Sequence, residues 1–373
     1  MALVKIIQRL GLLFSSSSLS LFRRLHFTLV RLFMFPARGW LPAGLHMWRG
    51  LHFDESDSEA YTRTWNSLRP LFELHSFTLW AQSDELNQFM YDPPALSHYA
   101  SVPADRQYEF VLRQFSPGNG LFHAVRRCKQ DYVVRVMSVS GEDLHHLRLM
   151  RLLSNNHILP MVSEIVYEDI VPGVFPRLGE GLITALIPEA GRSIEDSIYM
   201  VTQALEAVVY IHGKNIAHRD LFLDNFMVEW NPHSLSSQNW TRPRVYLIDF
   251  ETAVQFSDDI DSSNRLCSVF PLSLAPEDYA RPRAPELRVL VPEPSMYCPF
   301  LLPVDTWQFG FHLVQMLSET GIEDIDTLWL SMMPDNPIDR VTAAEVLQKL
   351  SEFLAGVPPR ILKRTYTCSP IYM

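Results

Sequence analysis

The chain lacks the cysteine patterns of small secreted domains and of zinc sites. Its 373 residues include four cysteines, which share no C-x-x-C or cysteine–histidine ligand spacing (Cys128, Cys267, Cys298 and Cys368). This scattering argues against both a disulfide framework and a zinc finger, and it favours a reducing compartment. We therefore expect an intracellular protein, with the cytoplasm as the simplest location.

Long apolar runs are also missing. A membrane-spanning helix needs roughly 18 or more consecutive apolar residues. The best window is interrupted by the serines from Ser15 to Ser18 and then by Arg23 and Arg24. No internal repeat is visible. The sequence thus predicts a globular protein without a transmembrane span.

Acidic residues are absent from residues 1–53. That segment holds seven basic side chains, so the remainder carries 25 basic and 42 acidic groups, a net charge of −17. A body this acidic is a poor binder of the phosphate backbone of nucleic acids. We therefore expect no nucleic-acid partner.

The first 53 residues form a basic leader whose composition is rich in arginine and serine. This profile is typical of a mitochondrial transit peptide. A disordered basic tail explains it as well, and so does a misplaced gene start, since Met34 or Met47 could initiate the chain. Because the leader contains no acid partners and no persistent core-facing period, we expect a chain that begins at Asp54 to fold by itself.

The next segments alternate between helical and strand patterns. A helix is predicted around residues 57–75, broken near Pro70. The runs "QYEFVLRQF", "GLFHAVRRC" and "DYVVRVM", separated by "SPGNG" and "KQ", predict an antiparallel meander. The spacing of Leu144, Leu147 and Met150 then predicts a helix. Further along, Ser193 with Asp196 predicts a capping box at the start of a long helix.

A compact polar motif, "HRDLFLDN" at residues 218–225, follows that long helix. It places Asp220 and Asn225 on one tight loop, and Asp249 follows the apolar run "VYLI". In phosphoryl transfer, a carboxylate orients the attacking hydroxyl and accepts its proton, while carboxylate and amide oxygens hold magnesium ions. Asp220, Asn225 and Asp249 fit these roles.

Other motifs occur in a consistent order around this loop. "GNGLFHAV" at residues 118–125 follows G-x-G-x-x-G-x-V, with His123 at the third glycine; a simple hairpin turn explains it equally well. "RAPEL" contains an A-P-E that ends at Glu286, and "DTWQFG" begins at Asp305. "DRVTAAEVL" supplies Arg340 near the end of the pattern.

Taken together, residues 106–355 resemble the eukaryotic protein kinase family, and "LRPLFELHSFTLW" and "NHILPMV" resemble divergent kinase-like proteins of fungi. The resemblance implies an α+β, two-lobed fold with a β-rich small lobe, a helical large lobe, and ATP with Mg²⁺ between them. The expected boundaries are a basic leader (1–53), a helical extension and linker (54–105), a small lobe (106–190), a large lobe (191–357) and a C-terminal tail (358–373).

The resemblance also implies a role for each motif residue. The catalytic group is Asp220 with Arg219 and Asn225, and the metal ligands are Asn225 and Asp249. The expected nucleotide-binding residues are Gly118, Gly120, Val125, Val133, Arg135 and Asp249. The expected structural residues are Glu286, Asp305 and Arg340, with Glu286 and Arg340 joined in a buried ion pair.

The sequence departs from the family at several of these positions. Arg135 stands where the family has a phosphate-binding lysine, and the position of its glutamate partner falls on His146, with Glu142 one turn away as a substitute. Lysine two residues after the catalytic aspartate and arginine four residues after it are the family's alternatives, but Phe222 and Asp224 stand there. The loop therefore lacks its usual cation.

Glu251 replaces the glycine of D-F-G. It restricts the backbone and adds an anion beside the expected metal site. The sequence leaves open an active but slow protein kinase acting on serine or threonine hydroxyls of a protein substrate, and a pseudokinase that binds nucleotide or a protein partner. It also leaves open a small-molecule kinase, because "IDFE" resembles the metal-binding strand end of choline and aminoglycoside phosphotransferases. The A-P-E and D-x-W-x-x-G elements oppose that last reading.

Overall fold

A computed structural model describes most of the chain from residue 37 to residue 366. The described residues are 37–52, 58–82, 89–90, 114–128, 130–153, 156–187, 193–229, 243–259, 267–268, 281–287, 297–298, 301–317 and 320–366. They divide into two compact units, one holding the residues up to 90 together with 114–142 and 163–174, and one holding 143–162 and the residues from 175 onward. The first unit is β-rich and the second is mainly helical, which confirms the predicted α+β class.

In the described residues, the β-rich unit contains two sheets and two helices. Its elements in chain order are α1 (Leu45–Arg49), α2 (Ser58–Leu74), β1 (Thr78–Leu79), β2 (Ala81–Gln82), β3 (Phe89–Met90), β4 (Gln114–Phe115), β5 (Phe122–Arg127), β6 (Gln130–Val139), β7 (Ser163–Glu164) and β8 (Ile170–Pro176). Five strands form one sheet in the order β1-β5-β6-β8-β7, and β2, β3 and β4 form another.

The predicted meander is correct for its second and third strands only. β5 and β6 pair as an antiparallel hairpin. The first expected strand, "QYEFVLRQF", is not the neighbour of β5: its last two residues form β4 in the other sheet, and residues 107–113 lie outside the described residues. The place beside β5 belongs to β1, where Leu79 pairs with Val125. β1 was missed because it comes from the segment assigned to a helical extension and linker.

Helix α2 runs through Pro70 without the predicted break. A proline inside a helix removes a backbone hydrogen bond and crowds the preceding turn. Here that cost is offset by burial of one helical face, whose side chains recur every three to four residues and lie in the core of the β-rich unit (Tyr61, Trp65, Leu68, Leu71 and Phe72). The helix is thus part of this unit's core.

His123, which occupies the third glycine position of the G-x-G-x-x-G pattern, is a core residue. Its ring stacks on Trp65 with the ring centroids 4.9 Å apart. The Tyr61 hydroxyl lies 2.9 Å from His123 Nδ1 and donates to the Phe122 carbonyl at 2.5 Å. Burial lowers the pKa of His123 from 6.5 to about 3. The imidazole is therefore neutral in the folded protein at neutral pH.

We expect this histidine to make stability fall in mild acid. Below its unfolded pKa of 6.5 the unfolded chain binds a proton that the folded chain does not bind until about pH 3. The free energy of unfolding should therefore drop by about 1.4 kcal/mol per pH unit from this group, or about 2 kcal/mol between pH 6.5 and pH 5. Denaturant titrations at pH 7 and pH 5 test this, with His123→Gln as the non-titrating variant. Equal pH dependence in the two proteins would contradict it.

The last part of the basic leader packs into the β-rich unit. Leu41, Leu45 and Trp48 belong to its core. Arg38 forms an ion pair with Asp169. The hydrogen bonds from Arg38 and from Ser140 lower the pKa of the Asp169 carboxyl to about 2. The expectation that the leader has no acid partner is therefore wrong for residues 37–52. Residues 1–36 lie outside the described residues.

Helix α1 depends on an acid from a distant loop. The Leu45 amide donates to the Glu142 carboxylate at 2.7 Å, which caps the start of the helix. A Cβ atom at Gly44 would lie 2.8 Å from that carboxylate, so a larger residue there would require the Glu142 side chain to shift. This acid is distant in sequence, so leader composition alone did not indicate it.

The second unit is mainly helical. Its elements are α3 (Leu144–Leu152), β9 (Glu180–Gly181), α4 (Leu182–Leu186), α5 (Ile194–His212), β10 (Ile216–Ala217), β11 (Phe226–Glu229), β12 (Arg244–Leu247), β13 (Val254–Gln255), β14 (Cys267–Ser268), β15 (Tyr297–Cys298), α6 (Leu301–Leu317), α7 (Glu323–Leu330), α8 (Ala343–Gly356) and α9 (Pro359–Leu362). Three short sheets join β12-β11-β9, β10-β13 and β14-β15.

The long helix α5 begins with the predicted capping box. The Ser193 hydroxyl accepts a hydrogen bond from the Asp196 amide, and the Asp196 carboxylate accepts one from the Ser193 amide.

The start of the predicted C-terminal tail also belongs to this unit. Tyr366 is buried, and its hydroxyl donates to the Leu186 carbonyl at 2.5 Å. Among the residues that the structure describes, no helix is both long and apolar enough to cross a bilayer.

Candidate catalytic site

The catalytic-loop motif is held in place by a buried carboxylate of α6. Asp305 is fully buried, and its two oxygens accept the backbone amides of His218 and Arg219, each at 2.7 Å. His212, at the end of α5, lies 3.1 Å from the same carboxylate. Charge-assisted bonds to backbone amides are stronger than neutral ones, so Asp305 fixes the start of the loop.

The D-F-E segment is tied to the same loop. His218 Nε2 lies 2.9 Å from the Ile248 carbonyl, and the Thr252 hydroxyl donates to the His218 carbonyl at 2.7 Å. The buried Phe250 ring packs edge-on against the His218 ring. Asp249 has φ of +62°, a left-handed conformation that is uncommon for a residue with a side chain. Such backbone conformations persist where surrounding contacts enforce them, and they concentrate at functional sites.

Asp220 and Asn225 are brought together inside the loop. The Asn225 amide nitrogen donates to the Asp220 carbonyl at 2.7 Å and to its carboxylate at 2.8 Å. Since the nitrogen makes both bonds, the Asn225 side-chain oxygen remains an acceptor. The arrangement orients one carboxylate and one amide oxygen from a single short turn.

The surroundings of Asp220 have opposing effects on the pKa of its carboxyl group. Burial raises the pKa of the Asp220 carboxyl, while the Arg281 guanidinium, His218 and the bond from Asn225 lower it; the neighbouring Asp224 raises it. The net effect is a raised pKa. A carboxylate that is partly desolvated and yet paired with a cation is a common feature of acid–base sites.

Arg281 is a site residue that the sequence interpretation missed. It contacts Asp224 through Nη1 at 2.5 Å, and its Nε lies 3.4 Å from the Asp220 carboxylate. A signal was present: the loop carries two carboxylates and no cation after Asp220, and basic residues lie just ahead of A-P-E. Arg281 belongs to no motif, so nothing connected it with the loop.

Glu286 and Arg340 form the expected ion pair. Both guanidinium Nη atoms bond the carboxylate, at 2.5 and 2.6 Å. Arg340 also donates to the backbone carbonyls of Pro334, Pro303 and Asp335. The pair thus links the A-P-E segment to the segment before α8.

Gly120, an expected nucleotide-binding residue, packs closely against the end of the leader. A Cβ atom there would lie 2.5 Å from both the Leu51 Cβ atom and the Trp48 carbonyl. Packing against the end of the leader therefore explains this glycine. Gly118 is exposed with open space around it, Val125 is buried in the core of the unit, and Val133 is half-buried.

Arg135 lies in β6 and is buried. Its guanidinium sits 5.1 Å from the centroid of the Phe122 ring, its neighbour across the hairpin. The suggested substitute partner Glu142 caps α1 instead. His146, at the family's glutamate position, is buried in the second unit, where its Nδ1 lies 3.5 Å from the Asp143 carboxylate.

The second unit could hold a magnesium ion with few protein ligands. Mg²⁺ in phosphoryl-transfer sites is bound by one or two protein oxygens, with water and substrate phosphates completing the octahedron. The side-chain oxygen of Asn225 and the carboxylate of Asp249 supply that chemistry. Glu251 is half-buried two residues after Asp249. Among the described residues no group of three or more histidine, cysteine or acidic side chains forms a fuller metal site.

The chain is similar to several protein kinases. Death-associated protein kinase 2 of Homo sapiens is 26% identical over 220 residues, covering 54% of this chain and 52% of that protein. The phosphorylase b kinase gamma catalytic chain, liver/testis isoform, of Bos taurus is 27% identical over 134 residues, 31% of this chain and 33% of that protein. The serine/threonine-protein kinase US3 homolog of Bovine herpesvirus 1.2 (strain ST) is 24% identical over 119 residues, 31% of this chain and 26% of that protein.

The chain therefore spans about half the length of the first of these relatives and a third or less of the other two. No family model matches it. The likeness to fungal proteins stays a prediction. Similarity at this level, joined to the order of motifs along the chain, supports a divergent likeness of this protein to the protein kinase family.

Proposed function

We propose that the protein transfers the γ-phosphoryl group of Mg-ATP to a serine or threonine hydroxyl of a protein substrate, at a low rate. The observation that carries this proposal is the Asp220–Asn225 contact on a loop anchored by Asp305. That geometry provides a carboxylate for the acceptor hydroxyl and an amide oxygen for magnesium.

Each residue has a distinct task in this proposal. Asp220 orients the attacking hydroxyl and accepts its proton, while Asn225 and Asp249 would hold a magnesium ion. When bound, magnesium neutralises charge that develops on the phosphate oxygens. Arg219 holds the loop in place, since its amide donates to Asp305 and its guanidinium donates to the Thr252 carbonyl at 3.2 Å.

A low rate is expected because the phosphate-binding part departs from the family. Arginine at position 135 is longer and forked where the family uses a compact lysine charge, and the two side chains are not interchangeable at a phosphate site. The packing of Trp48 and Leu51 on Gly120 restricts the turn that would otherwise bend over phosphates. Phosphoryl transfer depends almost entirely on positioning and electrostatics, so these changes reduce the rate.

Separating ATP binding from transfer tests the proposal. Asp220→Asn should leave Mg-ATP binding unchanged and lower transfer by roughly 10³-fold or more, because the general base is lost. Asp249→Asn should abolish magnesium-dependent ATP binding. Calorimetry with and without Mg²⁺, and phosphate incorporation from labelled ATP, measure the two effects. Asp259→Asn, an exposed carboxylate in the same segment, is the control.

Arg135 in place of the family's lysine and the packing of Trp48 and Leu51 on Gly120 also support a second candidate. This candidate is a pseudokinase that acts as a nucleotide-binding or protein-interaction scaffold. It predicts Mg-ATP binding without transfer in the unmodified chain. A small-molecule kinase is disfavoured by the Glu286–Arg340 pair, which belongs to the protein-kinase pattern. An unmodified chain that binds no ATP at millimolar concentration would reject the kinase and leave only a scaffold.

A further inference from the structure

We propose that Arg281 supplies, from the segment before A-P-E, the positive charge that the catalytic loop lacks, acting as a positioning residue for Asp220. The inference rests on the proposed phosphoryl transfer and identifies a residue that serves it. Its basis is one guanidinium placed between the two carboxylates of the loop. Nη1 lies 2.5 Å from Asp224, and Nε and Nη2 lie 3.4 and 3.5 Å from Asp220.

The unequal distances give the two carboxylates different roles. The short contact to Asp224 anchors the guanidinium. The longer contacts to Asp220 place positive charge beside this carboxylate and leave it room to accept a proton. The guanidinium also lies 5.2 Å from the centroid of the Phe222 ring. Asp224 and Phe222 thus hold the arginine from two sides.

This arrangement gives a physical account of the loop's unusual sequence. Phe222 is fully buried, so the position where the family has lysine is occupied by a core side chain. Asp224, at the position of the family's other cation, carries a negative charge and binds the Arg281 guanidinium instead. The positive charge is therefore retained at the loop and comes from a different segment.

The charge matters during the transfer step. The acceptor hydroxyl oxygen forms a bond to the γ-phosphorus, the bond from that phosphorus to the bridging oxygen breaks, and ADP leaves with the electron pair. The hydroxyl proton passes to the Asp220 carboxylate. A cation beside Asp220 holds the carboxylate in place and offsets the negative charge of the phosphates. Arg281 is about one-third exposed, with 35% of its side chain accessible, so it can respond to a bound substrate.

Steady-state kinetics of the full chain test the inference. Arg281→Gln should lower kcat by about 10²-fold or more, with the KM for ATP little changed, because removal of one charge-stabilising donor costs that much in other enzymes. Arg281→Lys keeps the charge without the forked geometry and should have an intermediate kcat. Arg244→Gln removes an exposed arginine of the same unit and should behave like the unmodified chain.

A charge exchange separates electrostatics from packing. Asp224→Arg alone places two cations together and should be inactive or nearly so. Combined with Arg281→Asp, it moves the cation onto the loop and should recover at least about tenfold in kcat over either single variant, as coupled pairs do. Melting curves and ATP binding establish that each variant is folded.

The failures of this inference and of the proposed function are distinguishable. If the unmodified chain transfers phosphate and Arg281→Gln matches it, Arg281 has no such role and the proposed function stands. Suppose that folded Arg281→Gln and Arg281→Lys proteins lose kcat equally, and that combining Asp224→Arg with Arg281→Asp recovers no activity. The Arg281 side chain then only packs, and the inference is overturned. If the unmodified chain transfers nothing, the proposed function and this inference fall together.

Discussion

A chain that begins at Asp54 is expected to have an unfolded β-rich unit. It lacks Leu41, Leu45 and Trp48, which are buried in the core of the β-rich unit. Burying a large apolar side chain stabilises a protein by about 1.5–3 kcal/mol, so the three together contribute roughly 5–9 kcal/mol. This is comparable to the whole free energy of unfolding of a typical domain, about 5–15 kcal/mol. Loss of the cooperative transition of the β-rich unit in a thermal or urea melt is the expected result.

Two tryptophans of the leader provide a matched comparison. Trp48 is 0% exposed and Trp40 is 82% exposed. Trp48→Ala should cost about 3–5 kcal/mol, as large-to-small changes of buried aromatics do, while Trp40→Ala should change stability by less than about 0.5 kcal/mol. An unchanged midpoint for the chain from Asp54 would show that this segment is not part of the folded unit.

The same packing limits any targeting function of the leader. If residues at the start of the chain direct import and are then removed, cleavage has to occur before Arg38, because the side chains that follow lie in the core and in the Asp169 ion pair. A cut near residue 53 would remove the α1 helix from the folded unit.

The sequence predicted best those features that are encoded over a few residues. The Ser193–Asp196 capping box, the β5–β6 hairpin and the Asp220–Asn225 loop all depend on side chains close together in the chain. It failed where distant segments meet. β1 was missed because its pairing with β5 spans residues 78 to 126, and the role of α1 was missed because its capping acid is Glu142.

The candidate site likewise contains features that the sequence predicted and features that it missed. Glu286 and Arg340 are 54 residues apart, yet they could be paired in advance because each lies in a motif of the family. Arg281 is 61 residues from Asp220 and lies in no motif, so charge counting revealed the missing cation without revealing its source. At Gly120 the motif suggested a phosphate contact, and only the structure shows that Trp48 and Leu51 also pack beside it.

The second large effect is expected at Arg340. Its side chain is 1% exposed, and that of Glu286 is 12% exposed. Removing one partner of a buried ion pair leaves an uncompensated charge and costs about 3–5 kcal/mol. Arg340→Ala also removes the donor to the Pro334, Pro303 and Asp335 carbonyls. We therefore expect little soluble Arg340→Ala protein and a strongly lowered urea midpoint for what is recovered.

Graded variants decide whether the pair itself produces this effect. Glu286→Gln keeps the shape of the partner and the three backbone contacts of Arg340, so its cost should be smaller than that of Arg340→Ala. Arg340→Lys keeps the charge but cannot bond the carboxylate with a planar fork, so it should fall between the unmodified chain and Arg340→Ala. Arg244→Ala, at an exposed position, should change the free energy of unfolding by less than about 0.5 kcal/mol. If Arg340→Ala melts like the unmodified chain, the link between the A-P-E segment and the segment before α8 does not stabilise the helical unit.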